Sequence, residues 1–182
     1  MKPPEALADE GVALRPLRED DVPAYAAAFR DDTELGRLIG VERDPDEAAV
    51  RERIAERHTC SGFELAITAD GSDAFRGLVA VHSIEPDHGR AEIGFWLVPQ
   101  ARGAGLGARA VRLVVDWLFE HAGLRRVEMT TTPDNGGAVA LAQRLGFTHE
   151  GVLRQRAIER GRAVDIVWLG LLRDEWPARR SA

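Results

Sequence analysis

Apolar and polar residues in the middle of the chain follow a pattern that predicts three consecutive β-strands, over residues 63–68, 75–84 and 91–98. Turn-forming residues separate the three segments, among them Pro86 and Gly89 before the third strand. Connections this short join antiparallel neighbours, whereas parallel neighbours need a longer crossover. The three strands are therefore predicted to form an antiparallel meander.

A long amphipathic helix is predicted to begin near Leu106 and to end at Gly123. Its apolar residues recur at the spacing of one helical face, at Leu106, Ala110, Leu113, Val114, Trp117 and Leu118. A stripe of this length predicts that the helix packs on the sheet through one continuous buried face.

Seven further strands and helices complete the predicted order, and the last two of them form a hairpin. They are a strand over 12–17, a helix from Asp20 or Asp21 to about Phe29, a helix from Asp44 to about Arg57, a strand over 127–132, a helix over 135–145, and a hairpin of strands 147–156 and 163–173. Asp44 is the expected N-cap of its helix, because Pro45 and Glu47 follow it at the positions that favour a helix start.

No repeat, low-complexity tract or linker interrupts this order of elements. A single mixed α/β domain is therefore predicted over residues 12–176. The polar, Pro-rich residues 1–11 are expected to be a flexible end, and residues 177–182 a C-terminal tail.

The composition of the chain argues against several classes of protein. The 182 residues are 45% hydrophobic and 30% charged, with a formal net charge of −6, which argues against a general nucleic-acid binder. The single cysteine, Cys60, excludes an internal disulfide and a cysteine-based metal cluster, so no metal is expected. Neither a secretion signal nor a membrane-spanning run is recognised, and the expected location is the cytoplasm.

The segment 100–107, Gln-Ala-Arg-Gly-Ala-Gly-Leu-Gly, joins the strand over 91–98 to the long helix. Its alternating glycines remove side chains from the turn, so that backbone N–H groups can approach a ligand closely. The start of the helix adds amides without intrahelical partners and the positive end of the helix dipole. With Arg102 as a nearby cation, the turn predicts a site for a pyrophosphate.

A dinucleotide-binding fold is the alternative interpretation of these glycines. Gly103, Gly105 and Ala108 match its GxGxxA pattern, and Glu128 stands where that fold has its ribose-binding acid. Against it, residues 99–102 separate the strand from the glycines, and the preceding strands are linked by hairpins rather than by helical crossovers. Only one strand–helix–strand unit follows the turn, which is too little for a second mononucleotide-binding half.

Several motifs, in order and at the expected spacing, resemble the GNAT superfamily of N-acyltransferases, and within it the RimJ/RimL-like branch that acetylates the N-termini of ribosomal proteins. They are Gln100-x-x-Gly103-x-Gly105, the preceding segment 91–97, Asp134-Asn135, Leu145-Gly146-Phe147, the segment 151–154, Val164-Asp165 and the segment 171–176. The resemblance covers about residues 10–176. It implies a mixed, mostly antiparallel sheet of about seven strands flanked by about four helices, with the fourth and fifth strands splayed apart.

The same resemblance implies acetyl-CoA as co-substrate and a set of residues to hold it. Backbone groups of Leu97 and Val98 are expected to pair with the pantetheine, and Asn135 to bond it or its neighbourhood. The pyrophosphate is expected on the amides of Arg102, Gly103, Ala104, Gly105, Leu106, Gly107 and Ala108. Asn135 can equally be the N-cap of its helix, and the two roles do not conflict.

Acyl transfer from a thioester to an amine needs a base for the amine and a hydrogen-bond donor for the thioester carbonyl. Glu92 is the expected base and the Val98 N–H the expected donor, with His82 as a second candidate base. A salt bridge at the strand end is the alternative for Glu92, and an ordinary position on the sheet the alternative for His82. Asp165 is expected to tie the last hairpin together rather than to anchor the acceptor.

No side chain is evident that would protonate the leaving thiolate. Relatives often place a Tyr after the helix that follows Asn135, or a Ser three residues after the Asn, but the only tyrosine here is Tyr25 and the latter position is Ala138. A catalytically weak member of the family that binds coenzyme A is therefore the alternative to an enzyme.

The acceptor is expected to be a primary amine, either a peptide N-terminus or a small molecule. Acidic residues gather in the early helical region, at Asp31, Asp32, Glu34, Glu42, Asp44, Asp46 and Glu47. They would attract a cationic amine, although a solvated helical surface explains them too. Neither nucleic acid nor membrane is expected as a partner, and a homodimer is possible.

Overall fold

The chain folds around one mixed β-sheet, seen in a computed structural model that describes residues 3–9, 11–41, 43–55, 62–69 and 71–176. The strands of these residues are β1 (Leu7–Asp9), β2 (Val12–Pro16), β3 (Phe63–Ala69), β4 (Gly77–Glu85), β5 (Arg90–Leu97), β6 (Arg126–Thr131), β7 (Thr148–Glu159) and β8 (Arg162–Leu172). Their order across the sheet is β1-β2-β3-β4-β5-β6-β8-β7.

Helices cover both faces of the sheet. In the described part of the chain they are α1 (Val22–Asp31), α2 (Leu35–Leu38), α3 (Glu47–Ala55), α4 (Leu106–Glu120) and α5 (Gly136–Arg144). Single 3-10 turns lie at Glu19–Asp21, Pro86–His88, Pro99–Ala101 and Arg173–Glu175. Within the described ranges, every helix is too short or too polar to cross a membrane.

The sheet has two antiparallel parts that meet at β5 and β6. Strands β1 to β5 pair in sequence as antiparallel neighbours, which confirms the predicted meander, and β6, β8 and β7 form the second antiparallel part. Only β5 and β6 are parallel, and their ladder covers just the pairs from Arg90–Arg126 to Glu92–Glu128. Beyond Glu92 the two strands part, as expected for the fourth and fifth strands of the predicted sheet, and an opening forms between them.

Two expectations from the sequence were wrong in detail. Residues 7–9 form β1, which pairs with β2 from Leu7 opposite Leu14, so part of the expected flexible end belongs to the sheet. The third helix begins at Glu47, and its N-terminal amide at Ala49 donates to Asp46 Oδ1 at 2.9 Å. The capping residue is therefore Asp46 rather than Asp44, because Asp44 lies 3.1 Å from Arg160 in an ion pair. The predicted end of that helix, Arg57, lies outside the described residues.

The hydrophobic core is split by the sheet into two layers. On one face α4 packs through its predicted stripe, and Ala110, Val114 and Leu118 are fully buried, which confirms the amphipathic interpretation. On the other face α1 packs an aromatic cluster around Trp96, whose ring centroid lies 4.9 Å from that of Tyr25. Because successive side chains of β5 point to opposite faces, Ile93 belongs to the first layer and Trp96 to the second.

A buried ion pair fixes the start of α1 against β2. The guanidinium of Arg15 donates to both carboxylate oxygens of Asp21, at 2.7 and 2.9 Å, and its Nε donates to Asp73. Asp21 is 3% exposed and also accepts the backbone N–H of Arg18. These partners raise the pKa of Arg15 above its usual range, and the hydrogen bonds that Arg15 donates to Asp21 are the largest cause. The guanidinium therefore stays charged.

Replacing Asp21 with Ala is expected to lower the free energy of unfolding by about 3 kcal/mol, because the change removes the buried carboxylate partner of Arg15 and leaves only the exposed Asp73 to compensate its charge. Denaturant titration measures the loss. The neighbouring exposed Asp20 provides the matched control, and Asp20→Ala is expected to change stability by less than about 0.5 kcal/mol. Equal effects of the two substitutions would show that the buried pair contributes nothing specific.

Candidate active site

The opening between β5 and β6 exposes main-chain groups of β5. Alternate residues of a strand direct their N–H and C=O groups to opposite neighbours. Val98 donates its N–H to the carbonyl of Arg76 at 2.9 Å, on the β4 side. By the same alternation, the main-chain N–H and C=O groups of Phe95 and Leu97 point toward β6. These two residues lie beyond the last residue pair of the β5–β6 ladder.

This alternation corrects the role expected for Val98. Its N–H is engaged with Arg76 and points away from the opening, so it is not placed to bind a thioester carbonyl or a pantetheine there. Phe95, which the sequence analysis did not select, has the required direction. Leu97 was selected and does face the opening.

The glycine turn has the conformation that its sequence predicts. Gly103 and Gly105 have φ angles of +83° and +76°, which residues with a Cβ rarely adopt. Gly105 is the N-cap of α4, and the first hydrogen bond of the helix runs from the Arg109 N–H to the Gly105 carbonyl at 3.1 Å. The preceding amides of the first helical turn have no intrahelical partner by geometry, so they point out of the helix end.

Gly107 lets this helix end approach β5 closely. A Cβ added at Gly107 would lie 3.1 Å from the ring of Phe95 and 3.4 Å from Leu97 Cδ1. The absence of a side chain therefore brings the outward-facing amides of α4 next to the exposed edge of β5.

Arg102 links the glycine turn to the end of α1. Its Nε and Nη2 donate to the Leu97 carbonyl at 3.1 and 2.9 Å, and Nη2 lies 2.6 Å from Asp32 Oδ2. Burial opposes ionisation of Asp32, but the bond from Arg102 and backbone N–H groups outweigh it and lower the pKa of that carboxyl. The main-chain N–H of Arg102 donates to the Pro99 carbonyl, so it is not offered to a phosphate. Of the amides expected to bind the pyrophosphate, the first that lies after this turn is that of Gly103.

Glu92 lies at the point where β5 and β6 part. Its carboxylate accepts a hydrogen bond from Thr130 Oγ1 on β6, and Oε2 is 3.8 Å from His82 Nδ1. His82 is its direct neighbour on β4, and the Glu92 side chain is 16% exposed against 46% for His82. A hydroxyl thus orients the carboxylate, and a half-exposed imidazole lies beside it.

A cavity of about 340 Å³ extends from this carboxylate between the sheet, α1 and the loop after α2. Its lining includes residues from five strands, from α1 and α5, and from the loop after α2, among them Tyr25, Ile39, Gly40, His82, Glu92, Thr130, Thr131, Asn135, Ala138, Ala157, Glu159 and Ile166. The structure therefore brings three predicted site residues, His82, Glu92 and Asn135, to one cavity.

Asn135 and Ala138 both lie in the cavity wall, at the start of α5. Asn135 Oδ1 accepts the Ala138 N–H at 3.3 Å and caps α5, so the structural role proposed for it is real. Ala138 presents a methyl group where relatives were expected to carry a hydroxyl. Tyr25, set aside in the sequence analysis because it belongs to the first helix, lines the same cavity, and burial raises its pKa to about 12.

Three other acidic residues, of which Glu128 and Asp165 were considered from the sequence, have structural partners. Glu128 is buried and pairs with Arg90 and Arg126, which removes it as the ribose acid of a dinucleotide fold. Arg126 also pairs with Glu150, and that bond is the main reason for the lowered pKa of Glu150. Asp165 Oδ1 accepts the Gln155 N–H at 2.8 Å, which confirms that it ties the last hairpin together.

Sequence reasoning missed Thr130, Tyr25 and Glu159 as cavity residues. For Thr130 a signal exists, because it lies two residues after Glu128 on β6 and therefore on the same face of the sheet. Tyr25 and Glu159 reach the cavity only through the packing of α1 and of the β7–β8 hairpin. No spacing within their own segments indicates this contact.

Comparison with known proteins agrees with this geometry. Residues 12–148 match the acetyltransferase (GNAT) domain model. The chain belongs to the GNAT acetyltransferase family. The match spans the meander, the glycine turn, α4 and α5, and the chain is accordingly an N-acetyltransferase that acts on an amine.

Individual relatives match over most of the chain. YdaF of Bacillus subtilis, described as a ribosomal N-acetyltransferase, is 27% identical over 179 residues, covering 94% of this chain and 97% of its own, which agrees with the RimJ/RimL-like branch. The spermidine N(1)-acetyltransferase of Escherichia coli is 30% identical over 145 residues, covering 78% and 75%. The crystal structure of a GNAT-family acetyltransferase from Chromobacterium violaceum superposes with a TM-score of 0.88 at 30% identity, covering 98% of this chain and 91% of that one.

Proposed function

We propose that this N-acetyltransferase takes its acyl group from acetyl-CoA held across the β5–β6 opening, and that the acceptor amine enters the cavity beside Glu92. The observation that carries the proposal is the position of Glu92. Its carboxylate lies where the two strands part, it is oriented by Thr130, and it lines the cavity. A base at this point reaches both the opening and the cavity.

The residues around the opening fit a pantetheine and a pyrophosphate. The outward N–H and C=O of Phe95 and the outward N–H of Leu97 suit the amides of a pantetheine, which would pair with β5 as a further strand does, while the Leu97 carbonyl is bonded to Arg102. Thr131 Oγ1 is buried in the cavity wall and has no hydrogen-bond partner among the described residues, so a polar ligand would satisfy it. A side chain added at Gly103 would meet open space, which leaves room for phosphate against the amides.

In this proposal the amides from Gly103 to Ala108 hold the pyrophosphate, since they belong to the turn and first helical turn of α4. Phe95 and Leu97 hold the pantetheine, and Asn135 lies beside its thiol end. Bound acetyl-CoA supplies an activated acyl carbon with a thiolate leaving group. The chain itself supplies main-chain donors at the edge of β5 for the charge that develops on the carbonyl oxygen.

Glu92 then accepts a proton from the attacking amine, directly or through a water molecule. The new carbon–nitrogen bond forms as the carbon–sulfur bond breaks, and the amine proton leaves by way of Glu92. His82 is placed to pass this proton to solvent, because it adjoins Glu92 and is nearly half exposed. Ala138 offers no proton for the thiolate, so water protonates it.

The acceptor belongs to the amines that relatives use. One relative is described as acting on ribosomal protein and another on spermidine, and both kinds of acceptor carry a positive charge. The acidic residues Glu92 and Glu159 line the cavity, which supports a cationic acceptor over a neutral or acidic one.

Acetyl-CoA at a hundredfold excess over its Kd is expected to stabilise the protein by about 2.7 kcal/mol, which raises Tm by several degrees. Differential scanning fluorimetry measures the shift, and a nicotinamide dinucleotide provides the control that leaves Tm unchanged. Release of thiol on adding peptides, polyamines and aminoglycosides then separates the two candidate functions. A Tm shift without thiol release from any amine would favour the weak coenzyme A-binding member over the enzyme.

A cytoplasmic location and a homodimer are further proposals. The single cysteine in the sequence supports a reducing compartment. Strand β7 forms one edge of the sheet and exposes Val152, Leu153 and Ile158, the last with two thirds of its surface accessible, which supports association through this strand. Sedimentation of the wild type against Ile158→Lys tests the homodimer.

A further inference from the structure

A second acidic residue, Glu159, lies in the cavity wall against the loop after α2. It is the last residue of β7, at the tip of the final hairpin, and it lines the cavity together with Ile39 and Gly40 from the loop after α2. A methyl group placed on Gly40 would lie 4.0 Å from Glu159 Oε1, so the carboxylate sits against this loop. The side chain is partly buried rather than extended into solvent.

Two arginines near Glu159 are engaged with other carboxylates, and Arg162, its cross-strand neighbour in the hairpin, is exposed and forms no ion pair with it. Arg37 pairs with Glu34 at 2.8 Å and with Asp134 at 2.7 Å. Arg160 pairs with Asp44 at 3.1 Å. Burial raises the pKa of Glu159, and the charge of Arg37 opposes this only in part. A cation bound beside Glu159 would therefore neutralise its carboxylate, as Arg37 and Arg160 neutralise other carboxylates nearby.

The rest of the cavity wall is largely uncharged. It includes side chains such as Thr131, Ala157 and Ile166. Arg53 also lines the cavity, but it is paired with Glu64. The cavity thus has two acidic groups, Glu92 on β5 and Glu159 at the end of β7, in a lining that is otherwise mostly neutral.

We propose that Glu159 is a specificity-determining residue that binds a second cationic group on the acceptor, several atoms from the amine that is acetylated. The inference rests on the proposed function, in which that amine lies beside Glu92. The preferred acceptor is then a linear diamine, or a peptide whose second residue is lysine, since both carry two cations separated by several atoms. A volume of about 340 Å³ admits an extended chain of this kind.

The test compares α,ω-diaminoalkanes with monoaminoalkanes of equal length, and lysine-containing dipeptides with their norleucine analogues, in the wild type and in Glu159→Gln. The ratio of kcat/KM for dication over monocation is expected to fall about tenfold in the variant, through KM more than kcat, because a charge-assisted bond is lost. Glu120→Gln, an equal charge change at an exposed position at the end of α4, is the control and is expected to keep the wild-type ratio.

The alkylamines and the dipeptides are compared separately. The set whose preference for the dication is lost in Glu159→Gln contains the preferred class of acceptor. An unchanged ratio in both sets would overturn the inference while leaving the proposed function standing. If no amine is turned over, the proposed function fails, and calorimetry with 1,4-diaminobutane still decides the inference. Binding that weakens in Glu159→Gln supports it, whereas equal or absent binding in both proteins contradicts it.

Discussion

Glu92→Gln is expected to lower kcat by about 10²–10⁴-fold, because the amide cannot accept the proton of the attacking amine. The deficit should shrink as the pH rises, since a growing fraction of the acceptor amine then arrives without its proton. Gln is isosteric with Glu and can still accept the Thr130 hydroxyl, so the cavity is expected to keep its shape. Steady-state rates of thiol release across a pH series measure the effect.

Glu128→Gln is the matched control for this prediction. Glu128 is the direct neighbour of Glu92 across the β5–β6 ladder, but its carboxylate pairs with Arg90 and Arg126 instead of facing the cavity. Its substitution is expected to reduce stability while kcat stays near the wild-type value. A kcat for Glu92→Gln within a few-fold of wild type, with the same pH profile, would remove Glu92 as the base.

Gly105→Asp is expected to weaken acetyl-CoA binding by roughly 100-fold, the second large effect. The new carboxylate would stand at the N-terminus of α4, where it blocks the approach of phosphate and repels its charge. A side chain at φ +76° is strained, but an aspartate at an N-cap, with Arg109 Nη1 3.6 Å from its Cβ, is partly compensated. The protein is therefore expected to fold, and isothermal calorimetry gives the change in Kd.

The opposite end of the same helix supplies the control. Gly123 also has a positive φ, of +70°, and a Cβ there would meet open space. Gly123→Asp introduces the same strain and places a negative charge near the helix C-terminus, where the dipole disfavours it. It should destabilise the protein at least as much as Gly105→Asp and leave the Kd for acetyl-CoA unchanged. Equal losses of affinity would mean that the glycine turn does not hold the pyrophosphate.

The sequence predicted the elements whose pattern is local. The stripe on α4, the meander and the glycine turn each depend on residues within one segment, and all three are confirmed. Glu92 was selected for its place on the strand before the glycines, and the structure adds the reason that its carboxylate is held in position. That reason is Thr130, from a strand 38 positions later in the chain.

The remaining features depend on contacts that no local pattern records. The direction of the Val98 N–H follows from the register of β4 against β5, and a shift of one residue reverses it. The helix cap moved from Asp44 to Asp46 because Asp44 pairs with Arg160, 116 residues away. Glu159 reaches the cavity because the hairpin folds over the loop after α2, which its own alternation does not reveal.

The short ladder between β5 and β6 also has a mechanical consequence. This ladder of three residue pairs lies between five strands on one side of the sheet and three on the other. The chain crosses this junction once, through α4, so fragments divided after α4 would each retain a whole antiparallel unit. A molecule that lies along the parted edges touches both units at once, and it would act as a splint across their junction.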